Sequence, residues 1–145
     1  MKIKVSEKEE IYASFPKLKD ATHKFTSPAD PTYNCIAWSV NDATRYWWPN
    51  HFTYWPDGVP LDDSLDAFMQ MYSKLGYRLT ELIPKRGVEA VAIYGAGSRV
   101  KHAARLSKDS SLWKSKLGDE VDIEHTLNAI ESDVYGSVLA IMMKG

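Results

Sequence analysis

Residues 89–107 read EAVAIYGAGSRVKHAARLS, and their apolar pattern has a period of two. Neighbouring side chains of a strand point to opposite faces. EAVAIYG (89–95) and VKHAARLS (100–107) are therefore expected as two strands, with GAGS (95–98) as their turn. In that phase Val100, His102, Ala104 and Leu106 share one face, while Lys101 and Arg105 take the other. Downstream, SLWKSK (111–116) is expected as a third strand, entered through the polar turn SKDSS. VYGSVLAIMMK (134–144), apolar on both faces, reads as a last and central strand. Between them DIEHTLNAIES (122–132) reads as a short helix with Asp122 near its start.

Upstream of residue 89 the period is helical. Ser6 followed by Glu9 is a capping-box pattern for a helix over 7–14, which Phe15-Pro16 ends. TSPADPTYN (26–34) is turn chemistry, because Pro28 and Pro31 push the residues before them into extended conformations. Asn34 is a good N-cap, so a second helix starts at Cys35. Ile36, Val40, Ala43 and Trp47 make its apolar stripe; Cys35, Trp38, Ser39 and Asp42 make the adjacent one, and Pro49 stops it. The aromatic stretch RYWWPNHFTYWPDGVP (45–60) is a loop. Leu61, Leu65, Phe68, Met69, Tyr72 and Leu75 then recur at helical spacing, with Gly76 where a C′ glycine belongs. Helices followed by an antiparallel sheet predict an α+β fold, in one domain spanning 1–145.

The bulk composition narrows the function. The chain has 145 residues, 18 Lys+Arg against 19 Asp+Glu, and a formal net charge of −1. A nucleic-acid partner would call for a basic excess or stripe, and neither is present. One cysteine excludes an internal disulfide and a Cys-rich zinc site. The N-terminus lacks the apolar h-region of a secretory signal. No window approaches the roughly 18 apolar residues of a membrane span. A soluble, cytoplasmic protein with no membrane partner is expected.

The residues that carry chemistry centre on Cys35. A thiolate is stabilised at a helix N-terminus and beside an imidazolium. His102 points with the apolar set of its strand, toward whatever layer covers the sheet, and the Cys35 helix is a natural cover. A third group would orient the imidazole. Ser115 is the choice, with Lys114, Asp122, Asp42 and His125 as alternatives. The Cys35 N–H and the Asn34 side chain would form an oxyanion site. Trp38, Trp48 and Trp55 would face the substrate. Each has a plainer reading. Free Cys is usually a small buried apolar side chain. A buried His is often bonded to a carbonyl. An aromatic loop is often pinned to the core by its own rings. His125 lies three residues after Asp122, on one face of the expected helix; a metal pair there competes with a cap or surface role.

The order of a cysteine opening a helix, a histidine on a following strand and a polar residue on the next resembles the papain-like fold in its small NlpC/P60-type form, over about residues 33–116. That resemblance implies helices packed on a small antiparallel sheet. It also implies a cysteine hydrolase or acyltransferase acting on a peptide or small amide, or a thioester, with Cys35, His102 and Ser115 as its catalytic residues and no cofactor or metal. SPADPTYNCIAWS, WWP, YWPDGVP, LGY, VAIY, HAARL, WKSKLG, DIEH and VYGSV also resemble a small bacterial family of single-domain proteins. This marks Asn34, Cys35, Trp38, His102, Ser115, Lys116 and His125 as motif positions without giving them a role. The alternative expectation is a non-catalytic module of papain-like shape that binds a protein partner or a ligand through the aromatic loop.

Overall fold

A computed structural model describes residues 3–27, 30–117 and 121–144, so Pro28 falls outside the described residues. The elements run α1 (Val5–Ser14), β1 (His23–Ser27), α2 (Cys35–Ser39), α3 (Leu65–Lys74), β2 (Tyr77–Thr80), β3 (Ala90–Ala96), β4 (Arg99–Leu106), β5 (Trp113–Lys116), β6 (Asp122–His125) and β7 (Ser137–Lys144). The strands form one antiparallel seven-stranded sheet in the order β1-β6-β5-β4-β3-β7-β2. This overturns the expected α+β, papain-like layout of helices packed on a small sheet. Only 18% of the described residues are helical against 33% in strands, so the sheet organises the molecule and short helices cover it.

The β3–β4 hairpin forms as its period demands. Ala90, Ala92 and Tyr94 of β3 face one core, while Val91 and Ile93 face a second. The first core lies against α1 and the segment after β6, with Phe15, Leu18, Trp113, Ile123 and Ile130. The second lies against α2, α3 and the aromatic loop, with Ile36, Trp47, Trp55, Phe68, Met71 and Tyr72. A bulge corrects the phase of β4. Tyr94 pairs with His102 but Gly95 pairs with Val100, so one residue is skipped. Val100 therefore joins the second core, while Ala104 and Leu106 stay with the first.

Other boundaries moved for identifiable reasons. α1 begins at Val5 with Lys4 at its N-cap and no side-chain cap, so the Ser6–Glu9 box is not used. Asn34 does cap α2, accepting from the Ala37 N–H at 3.2 Å. The helix ends at Ser39, well short of Trp47. Asn41 adopts a left-handed φ of 65°. The Asn41 N–H donates to Trp38 O and the Asp42 N–H to Ala37 O, a Schellman ending that closes the helix. The α3 reading is close: Ser64 caps it at Ala67 N, and Gly76 follows with a φ of +95°. DIEH is strand β6, not the start of a helix. It pairs with β5 on one side and β1 on the other, and that double ladder overrides local helix propensity. β7 is interior but lies one strand in from the edge. The edge strands β1 and β2 had no strand reading, being short and polar or flanked by a helix. Leu79 of β2 is exposed, as are Leu82 and Ile83 just after it. No helix among the described residues is long and apolar enough to cross a membrane.

Candidate ligand-binding site

Cys35 and His102 do not meet. Cys35 belongs to the second core, with its thiol against the backbone of Ala103. His102 stacks on Tyr135, a residue of the first core, at 3.9 Å and an interplanar angle of 9°. Adjacent residues of one strand point to opposite faces, so the sheet separates the thiol from the imidazole. The expected Cys–His pair is corrected on that ground: α2 covers the face that Ala103 and Arg105 occupy, not the face of His102.

The thiol is also unactivated. Burial pushes its pKa up to about 11, only partly offset by the backbone N–H groups of Ala103, Ile36 and Cys35 and by Lys116. Iodoacetamide labelling of Cys35 in the folded protein at pH 8 is expected to run about a hundredfold below that of the urea-unfolded chain. Labelling at equal rates in the two states would refute the buried, protonated thiol. The Asn34 amide is not free for an oxyanion. Its oxygen accepts from the N–H groups of Ala37 and Trp47, and its nitrogen donates to Trp47 O at 2.8 Å. Trp48 and Trp55 both pack edge-on against Phe68 inside the core, and Trp55 Nε1 donates to Pro60 O. The aromatic loop thus faces inward, with Phe52 as its exposed ring.

His102 and Ser115 do meet, together with His125, in the first core. The His125 Nδ1 donates to Thr126 O at 2.8 Å, so its bare Nε2 accepts from Ser115 Oγ at 2.7 Å. Ser115 has spent its one proton and must accept from His102 Nε2 at 2.9 Å. His102 Nδ1 is left a bare acceptor with no partner. All three side chains are fully buried. Burial pushes His125 down to about 4 and holds His102 well below the usual histidine range, the neighbouring His125 adding to the effect. This is a neutral, buried hydrogen-bond chain. Asp122 lies on the opposite face of β6 from His125, so those two cannot share a metal. Among the described residues no group of three His, Cys, Asp or Glu side chains is placed to hold one.

The second face carries the charge. Arg105 Cζ sits 4.0 Å over the Trp38 ring, Trp38 stacks on Tyr33 at 5.7 Å, and Lys116 Nζ lies 5.0 Å from the Tyr33 ring. The series reads cation, indole, phenol, cation. Lys116 and Asp122 are cross-strand partners, both buried. Burial raises the Asp122 pKa, partly offset by Ser27, Lys116 and Arg105.

Beside this series, past the C-terminus of α2, lies a cavity of about 390 Å³. Its walls include Val40, Val88, Leu106 and Tyr77, and its polar lining includes Arg105, Lys108, Lys114 and Lys144. Asn41 holds the arginine in place, its Oδ1 accepting from Arg105 Nη1 at 2.8 Å. A glycine would suit the left-handed backbone at 41 equally well, but it would not supply that acceptor. A second hollow of about 340 Å³ lies between α1 and Tyr135, with Glu10 as the one charged residue of its lining among the described residues.

Sequence reading placed Arg105 on the face opposite His102 but gave it no role, and named Lys114 only as a possible orienting group. It assigned nothing to Asn41, Lys108, Tyr77 or Lys144. The available signal was a charged residue embedded in an apolar strand, followed by a lysine-rich one.

Comparison with curated proteins and with solved structures finds no match in either. Residues 24–143 match a family described as Domain of unknown function (DUF7689), and since the match covers most of the chain, the protein belongs to that family.

Proposed function

We propose that the protein is a non-catalytic binding module that holds a small molecule in the cavity beside α2. The observation that carries this reading is the cavity itself: about 390 Å³, lined by the apolar Val40, Val88 and Tyr77 together with the charged Arg105, Lys108, Lys114, Lys144, Glu89 and Asp109. Small-molecule sites commonly fall in the range of about 300–1,000 Å³ with this mixture of lining. Cys35, the expected nucleophile, and Ser115, the expected orienting group, are both buried, and neither lines the cavity.

The test is thermal unfolding with phenol, benzylamine, benzoate and phenyl phosphate, which share a ring and differ in charge. At least one is expected to raise the melting temperature saturably, because a ligand that binds only the folded state stabilises it. The rise is expected to vanish in Val88→Trp, which fills the cavity. The reading fails if no probe acts, or if Val88→Trp responds like the wild type.

A further inference from the structure

The charge row that ends at the cavity names a ligand class. Across the second face, direct cross-strand partners run Lys24, Glu124, Lys114 and Arg105. The signs read plus, minus, plus, plus. The first two steps alternate, as stable antiparallel pairs do, and the last sets two cations directly opposite each other. That mismatched step lines the cavity.

Among the described residues the cavity is lined by four cations, Arg105, Lys108, Lys114 and Lys144, against two acids, Glu89 and Asp109. Glu124 lies 3.8 Å from Lys114, and Glu89 lies 3.5 Å from Lys144. Arg105 and Lys108 form no ion pair among the described residues. Arg105 makes one hydrogen bond, to Asn41, so most of its guanidinium donors remain uncommitted beside the cavity. Burial lowers its pKa from the usual arginine value, with Asp122 opposing, and it stays charged at neutral pH. The whole chain carries a net charge of −1, so this excess is local.

We propose that the ligand is a small organic phosphomonoester whose dianionic head sits between Arg105 and Lys114 with Lys108 at the rim, and whose apolar body lies against Tyr77, Val88 and Val40. This rests on the cavity being a binding site. Two cations set directly opposite each other, Arg105 without an ion pair among the described residues and Lys114 held only by Glu124 at 3.8 Å, suit a head of charge near −2. The planar guanidinium fork matches tetrahedral oxyanions on one centre, and Lys114 adds a compact point charge. The apolar wall gives a purpose to a carbon body that free phosphate lacks.

The test is isothermal titration of the full chain at pH 7.5 and low salt with phenyl phosphate, inorganic phosphate, benzoate, phthalate and phenol. Phenyl phosphate is expected to bind about tenfold or more tighter than each of the others, and to weaken as salt is raised. Arg105→Gln and Lys114→Gln are each expected to weaken it by about tenfold or more. Lys108→Gln, at an exposed position, is expected to weaken it by a smaller factor without touching the fold. Equal or tighter binding of benzoate, phthalate or phenol overturns the phosphomonoester while leaving the cavity a binding site. Equal binding of inorganic phosphate overturns the organic body. Unchanged affinity in all three variants overturns the placement of the head. Binding of no probe overturns both this inference and the function on which it rests.

Discussion

Replacing Gly136 with alanine is expected to cost about 4 kcal/mol or more of folding stability, against about 1 kcal/mol for Gly97→Ala. Both glycines have positive φ, +73° and +60°, so both substitutions carry the left-handed penalty of an L side chain. The difference is space. A Cβ at Gly97 meets nothing within 4 Å, whereas one at Gly136 would lie 2.0 Å from the carbonyl oxygen and 2.3 Å from the carbonyl carbon of Gly95. Those are backbone atoms of β3, which is paired on both sides by β4 and β7, and no rotamer can relieve the overlap. Gly136 also exchanges two hydrogen bonds with Ser132 in the turn that carries Tyr135, the ring stacked on His102. Displacing it therefore disturbs the cover of the buried histidine chain. Urea unfolding of the two variants side by side checks the claim. Equal losses would show that the close approach is not real.

Acid is expected to remove about 3 kcal/mol of stability through His125 alone between pH 6.5 and about 4, with His102 adding to the loss. The sign follows from the direction of the shifts. Both folded-state pKa values lie below the ordinary value of 6.5, so in this window the unfolded chain binds more protons. The stabilisation is complete above 6.5 and is lost as pH falls toward the folded value. Hydrogen bonding explains why. A proton on His125 Nε2 would face a serine hydroxyl whose own proton then has no acceptor, and a proton on His102 Nδ1 would be buried with no partner. Asp122, raised by burial, works in the opposite direction in the acid range. Asp42 is held far below the usual carboxylate range by bonds from Thr44, Trp47 and Arg45, which oppose its burial, so its loss comes at lower pH. Urea midpoints measured from pH 7.5 to 4.5 should fall in the wild type and fall less in a His102→Gln/His125→Gln double variant. A flat wild-type profile would remove the neutral chain as a stability determinant.

How much of this was legible in the sequence depends on where the controlling contact lies. The β3–β4 hairpin, the apolar stripe of α3 with its closing Gly76, and the Asn34 start of α2 are local events, and local period and cap chemistry revealed them. The end of α2 was hidden, because Ala43 and Trp47 continue its stripe by spacing, and only the left-handed Asn41 shows the chain turning away. β6 was hidden because its alternation places Ile123 and His125 inward and Asp122 and Glu124 on the other face, a pattern that also suits a helix start. Face assignment was the costliest failure. The phase of His102 along β4 was right for its neighbours Ala104 and Leu106, but period alone does not say which face α2 will cover. The cavity was unreadable because its residues come from six separate parts of the chain and converge only when the sheet closes.

The strand order has a kinetic consequence. The centre of the sheet is local: β3 and β4 are joined by a tight turn, and β5 and β6 follow in succession. Hairpins of this kind close in about 1–10 μs. The margins are the reverse. β1 must wait for β6, nearly a hundred residues later, and β2 must wait for β7. During that wait the flanks of β6 and β7 are open ladders, and Leu79, Leu82 and Ile83 have no strand to anchor them. Long-range closure is the slow class of folding event. The vulnerable species during synthesis or refolding is thus a centre already zipped with both margins unsealed, and aggregation at that stage is set by how fast the two outermost strands arrive.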